Sequence, residues 1–254
     1  MKAFIIHLPE REHSLKHAQS MLDTLLSYEG IEPELFVGIP GDLAVRWQEK
    51  DKRVLFPYSI KSSIVPEDKI REFIKPELWD QFRTEFYFKL FRRWPVGAAA
   101  GKMSTPGVLG CFYSHLLLWE KCLALDEPIM IFEDDVKFYR NFIPVDWQDI
   151  LILSLGKTSY LNDPYEQYLN NPKGNPQPMP WYASSMPGTS GYAIKPRTAS
   201  SLIKYYRGYF LPSDNALNRS VCEIECHNYL MGRHLTDEEG NVSMIKTKTW
   251  QDIK

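Results

Sequence analysis

The chain predicts an α/β fold, a single domain over residues 1–254 with a mostly parallel central sheet flanked by helices. Three observations predict it. Residues 2–38 read as strand, helix, strand, the βαβ unit that opens many nucleotide-binding sheets. Further on, Pro128-Ile-Met-Ile-Phe132 is an unbroken apolar run, rich in Ile and bounded by a proline. A run this short reads as a strand buried on both faces. Lastly, 44% of the 254 residues are hydrophobic, enough to fill the core of one large domain, and 24% are charged, which excludes global disorder.

Lys2 to Leu8 reads as the first strand, and Pro9 to His13 as the turn after it. Leu15, Ala18, Met21, Leu22 and Leu25 recur at helical spacing within Ser14 to Tyr28, and Gly30 stops that helix. Glu34 to Gly38 reads as the second strand, with Ile39-Pro-Gly41 turning out of it. Residues 42–63 carry no clear period, and Glu67 to Trp94 reads as one or two helices rich in charged and aromatic residues. Gly97 to Pro106 reads as a loop able to close over a site. Gly107 to His115 leads into an apolar helix over Leu116 to Leu123, which feeds the central strand at Pro128.

Asp149 to Ser154 reads as another buried strand. Lys157 to Pro187, with six prolines and with Tyr160, Tyr165, Tyr168, Trp181 and Tyr182, reads as a long functional loop whose rings suit sugar stacking. Gly188 to Ile194 reads as a strand, and Pro196 to Tyr206 as a helix with proline in its first turn. Asp214 caps a further predicted helix over Asn215 to Met231. A small β tail with a turn at Glu239-Gly240-Asn241 closes the reading.

Glu133, Asp134 and Asp135 follow the central strand directly. The carboxyl end of such a strand is where an open α/β sheet places its ligands. Continued alternation would put Glu133 and Asp135 on one face. Two carboxylates a few ångströms apart repel by about 4 kcal/mol at an effective dielectric of about 20, so a proton or a cation between them is expected. Oxygen-only ligands suit Mg²⁺ or Mn²⁺, which bind phosphate oxygens well. The pattern therefore points to a nucleoside diphosphate held while its bond to a sugar breaks; a solvated turn is the bland alternative.

Gly107-Val-Leu-Gly-Cys-x-x-Ser-His115, an apolar helix, then Ile131-Phe-Glu-Asp-Asp-Val136 together resemble glycosyltransferase family 25. That family includes lipooligosaccharide and collagen hydroxylysine galactosyltransferases. Phe4-Ile-Ile-His-Leu-x-x-Arg11 is similar to its first strand, with His7 where the family usually has Asn. Gly188-Thr-x-Gly-Tyr-Ala-Ile194 and Pro212-x-Asp214 resemble its later motifs. The resemblance implies a GT-A fold, a UDP-sugar donor and inversion at the sugar carbon, with residues 1–136 as the nucleotide-sugar half and 137–254 as the acceptor half. It implies Mn²⁺ or Mg²⁺ at Glu133, Asp134 and Asp135, with His227 or His234 as a further ligand, and donor contacts from His7, Leu8, Arg11, Gly38, Ser114 and His115. Thr189, Gly191 and Tyr192 are the implied acceptor contacts, and Asp214 the implied base. A capping role fits Asp214 equally well.

The default acceptor implied is a saccharide such as lipooligosaccharide. A hydroxymethylated DNA base is an alternative, supported by the basic aromatic stretch Lys89 to Trp94; the net charge of −2 counts against it. A zinc-stabilised binding module is the rival from another class. Its support is Cys222-x3-Cys226-His227, two thiols on one helical face, but the partner pair that structural zinc needs is missing. No apolar run reaches transmembrane length and the first residues are too short for a signal peptide, so a cytoplasmic protein with reduced cysteines is expected.

Overall fold

Side-chain alternation along the strands decides the architecture. The structure, a computed structural model, describes residues 1–44, 106–155, 177–178, 190–206, 213–217, 221–226 and 230–235. β1 (Lys2–His7), α1 (Glu12–Leu26) and β2 (Glu32–Val37) form the expected unit, with β1 and β2 parallel. Gly30 turns the chain between helix and strand at φ +75°, a conformation that strains residues with a side chain.

α2 (Pro106–Leu125) begins at Pro106, well before the predicted Leu116. Gly107 and Gly110 leave its first turns without a clear helical period in the sequence. A Cβ on Gly110 would lie 2.3 Å from the Ile39 carbonyl oxygen, so the helix packs against the segment after β2 at a distance only glycine permits. Then follow β3 (Ile129–Glu133), β4 (Val136–Phe138), β5 (Ile150–Leu155), β6 (Gln177–Pro178) and β7 (Gly191–Ile194). α3 (Pro196–Tyr205), α4 (Ser213–Ala216), β8 (Ile224–Cys226) and β9 (Gly232–His234) complete the described elements.

The strand order is β2-β1-β3-β7-β5-β8-β6, with β9 joined to both β4 and β5. β1 is parallel to β2 and β3, and β5 is parallel to β8 and β9. β7 lies antiparallel between β3 and β5, and β4–β9 and β6–β8 are antiparallel too. The expected mostly parallel sheet is therefore corrected to a mixed one. Gly191–Ile194 is buried at every position, and an apolar run of that kind carries no mark of its direction. A second correction concerns Asn215 to Met231, which is not one helix. Among the described residues of this segment helix is confined to α4, and β8 and β9 take up ladder positions in the sheet. Within the predicted loop after Lys157, Gln177–Pro178 pairs with β8. The predicted lid Gly97 to Pro106 lies outside the described residues except Pro106, as do residues 42–105 beyond Ala44 and the Glu239–Asn241 turn.

Helices cover both faces of the sheet. Phe4, Ile129, Ile131, Ile150, Ile152, Tyr192 and Ile194 pack with α2 and α3 through Phe112, Trp119 and Leu202. The alternate residues Ala3, Ile5, Met130, Phe132, Leu151, Leu153 and Ala193 pack with α1 through Ala18, Met21 and Leu25. This two-sided burial is why the central strands read as continuous apolar runs. β3 and β7 are neighbours, so the two halves of the chain share one sheet. Among the described residues no helix is long and apolar enough to cross a membrane.

Candidate active site

β2 and β3 lie on opposite sides of β1, so the topology reverses beside the carboxyl ends of β1 and β3. A crevice at such a switch point is the usual ligand site of an open α/β sheet. Ile6 is in register with Glu133, which sets His7, Leu8 and the start of α1 beside the three carboxylates.

β3 ends at Glu133, and Asp134 and Asp135 form the turn into β4. The alternation that would place Glu133 and Asp135 on one face therefore stops at Glu133. The three residues diverge to different elements. The Glu133 N–H donates to the Ser190 carbonyl (3.0 Å), and its side chain turns toward α2. Asp134 accepts a hydrogen bond from Ser14 Oγ, which in turn accepts from the Leu8 N–H (2.9 Å). This Leu8–Ser14–Asp134 chain ties β1, α1 and β3 together. Burial is the main cause that pushes the Asp134 carboxyl up to about 6; the Ser14 bond works against it, and the charges of Asp135 and Glu133 add to it. The Asp135 carbonyl accepts from the Leu235 N–H (2.7 Å), bringing the end of β9 onto the turn.

A buried polar chain stands behind Glu133. Trp119 Nε1 donates to Tyr192 Oη (2.9 Å), and Tyr192 Oη lies 2.8 Å from His115 Nδ1. His115 Nε2 lies 3.2 Å from Glu133 Oε1. The indole can only donate, so a fully satisfied chain has the phenol donating to Nδ1 and Nε2–H donating to the carboxylate. The His115 and Tyr192 rings stack at 5.7 Å, 18° apart, and burial pushes the Tyr192 hydroxyl well above its ordinary value. Cys111, one helical turn before His115, puts Sγ 3.7 Å from Glu133 Oε1 and 3.1 Å from Ser213 Oγ at the start of α4.

His115 and Tyr192 have no exposed surface. In this structure the His115 and Tyr192 side chains stand behind Glu133, linked to each other and to Trp119. Gly191 is likewise buried, and a Cβ there would meet Phe132 at 2.7 Å and Ser154 at 2.8 Å, so its lack of a side chain lets β7 fit between β3 and β5. Ser114 accepts from the Ile39 N–H (2.8 Å) and donates to the Gly110 carbonyl (2.8 Å), which clamps α2 to the segment after β2. Gly38 donates its N–H to the His7 carbonyl (2.7 Å). His7 is 5% exposed, and among the described residues its Nδ1 is buried without a hydrogen-bond partner. Burial lowers its pKa, with the Glu10 charge working the other way. Arg11 is the N-cap of α1 and provides no side-chain cap.

Thr189 and His227 lie outside the described residues, as does the His234 side chain, whose main chain pairs with Val136. The backbone of Asp214 is in α4, which Ser213 holds against Cys111; its side chain lies outside the described residues. Glu223 and Glu225, the other acids of this region, sit by Asp149 and Leu151, toward the end of β5 opposite to Ser154 and Gly191. They are remote from Glu133. Cys222 and Cys226 are buried core residues, and Cys226 is in a strand, so the pairing of the two on a helical face falls away.

Ser14, Cys111 and Trp119 were not singled out by the sequence. The i, i+4 spacing of Cys111 and His115 was a usable signal, hidden because the start of α2 shows no clear helical period in the sequence.

The model of glycosyltransferase family 25 (LPS biosynthesis protein) matches residues 1–217. A Haemophilus influenzae lipooligosaccharide biosynthesis protein, lex-1, is 33% identical over 125 residues, which are 44% of this chain and 40% of that protein. The human inactive glycosyltransferase 25 family member 3 is 43% identical over 44 residues, 17% of this chain and 7% of that protein. The matched segments thus span less than half the length of either relative. With switch-point carboxylates and a family match over most of its length, the chain belongs to glycosyltransferase family 25.

Proposed function

We propose that the chain transfers one sugar from a nucleoside diphosphate donor, a UDP-sugar, to an acceptor hydroxyl with inversion. The observation that carries this reading is the place of Glu133, Asp134 and Asp135 at the switch point between β1 and β3. Hard oxygen donors are the ligands Mg²⁺ and Mn²⁺ prefer. A divalent cation at this turn would neutralise the leaving diphosphate when bound; Glu133 and Asp134 face α2 and α1 in this structure, so the three carboxylates do not converge on one ion as they stand. His7 and Leu8 end the strand beside them. The uncapped N-terminus of α1 and Arg11 favour phosphate oxygens. Asp214 takes the proton of the acceptor hydroxyl. The name of the Haemophilus relative favours a saccharide acceptor of the lipooligosaccharide kind.

The test is nucleotide release from a panel of nucleotide sugars with Mg²⁺ or Mn²⁺, against saccharide, hydroxylysine peptide and hydroxymethylated DNA acceptors. Release from one UDP-sugar, stimulated by saccharide, is expected. Calorimetric binding of UDP with Mn²⁺ should be lost in Asp135→Ala. No acceptor-stimulated release from any donor overturns the reading.

A further inference from the structure

We propose that Cys111, His115 and Glu133 form a binding site for a soft divalent cation of the zinc type, behind the carboxylate turn. Cys111 and His115 stand four apart in α2, so both project from one helix face. Glu133, the last residue of β3, closes the set from the sheet. His115 Nε2 lies 3.2 Å and Cys111 Sγ 3.7 Å from Glu133 Oε1. One ligand atom from each residue lies within 4.8 Å of the other two.

Zinc bound tetrahedrally at 2.0–2.3 Å keeps its nitrogen, oxygen and sulfur ligands about 3.3–3.6 Å apart. Two edges of the triangle are already close to that length. The donor chemistry separates this site from its neighbour, since thiolate and imidazole select zinc while carboxylates alone select Mg²⁺ or Mn²⁺. Three protein ligands leave a fourth position for water or a ligand oxygen.

The surroundings are built in the manner of a metal site. His115 is fully buried, and Tyr192 fixes its ring from the Nδ1 side. An oriented second nitrogen is what metal-holding histidines have. With the cation on Nε2, the ring proton moves to Nδ1 and is donated to Tyr192 Oη, whose two lone pairs can take it and the Trp119 N–H together. Cys111 and Glu133 keep some exposure, which provides an entry from solvent. The site shares Glu133 with the carboxylate turn, yet its test needs neither donor nor acceptor, so it can fail while the transferase reading stands.

The test is a titration of the whole protein with Co²⁺, a spectroscopic substitute for zinc. Tetrahedral visible bands and a thiolate-to-cobalt charge-transfer band are expected, saturating at one ion per chain and abolished by Zn²⁺. Cys111→Ser should remove the thiolate band and weaken binding by more than about tenfold; Glu133→Gln should weaken it while the thiolate band persists at saturation. A thiolate band retained in Cys111→Ser, or none in the parent protein, overturns the proposal. Alkylation of the unmodified sequence guards against a misfolded variant. Zn²⁺ should protect Cys111 from iodoacetamide in peptide mass spectra, and unchanged labelling also overturns the proposal.

Discussion

Asp214 and Glu225 are acids of the same half of the chain with opposite prospects. Asp214 follows Ser213, whose hydroxyl touches Cys111 beside Glu133. Asp214 lies inside α4 and not at its N-cap; Asp214→Asn keeps the side chain's size but loses the proton-accepting charge, so turnover should fall by about 10²–10⁴-fold with UDP affinity nearly unchanged. Near-normal turnover would show that the base lies elsewhere. Glu225 is 7% exposed and accepts the Gln148 N–H. Burial raises its pKa, the Gln148 bond opposing, with the charges of Glu223 and Asp149 adding to the rise. A carboxyl raised on folding stabilises most below its unfolded pKa, and that stabilisation is lost as pH rises through the folded value. Glu225→Gln keeps the acceptor and removes the titration. Urea midpoints at pH 4 and pH 7 should show the variant gaining on the parent as pH rises; an equal difference at both would rule this out. At this scale the carboxylates of the site were legible, because three acids after an apolar run are conspicuous. Their partners were not, since Ser14 and Trp119 lie on other elements and gain their roles only through packing.

At the scale of the element, α2 does most to build the site. It presents Cys111, His115 and Trp119 to the sheet and Ser114 to the segment after β2. Its approach depends on Gly110, where an added Cβ would sit 2.3 Å from Ile39 O and 3.1 Å from Gly41 N. Alanine would add about 1 kcal/mol of helix propensity, but overpacking costs about 1–3 kcal/mol. Because the clash is with backbone, Gly110→Ala should lower the urea midpoint; a raised midpoint would show that the helix can withdraw freely. The glycines that permit this packing also hid the helix start, for the trait that lets α2 come close is the one that blurs its helical period. The predicted helix after Asn215 failed for another reason. Ile224-Glu-Cys226 is too short for a period to show, and the ladder with β5 decides its conformation.

Over the whole molecule, the α/β class and the strands β1, β3, β5 and β7 were readable, because burial on both faces leaves an apolar run in the sequence; the edge strand β2, with no buried residue, was readable from its place after a helix and a glycine turn. Strand direction and order were not readable, because they depend on connections between distant segments. One such connection has a consequence for the order in which the fold is assembled. β7 fills the gap between β3 and β5, both of which precede it in the chain. On the ribosome, β2-β1-β3 and β5 emerge first, each with an edge that β7 will later cover. Loop closure must bring Gly191–Ile194 back between strands made earlier, a long-range step of the kind that slows folding. Until then two hydrophobic strand edges lie open, and a chain stalled before Gly191 presents them permanently to its neighbours.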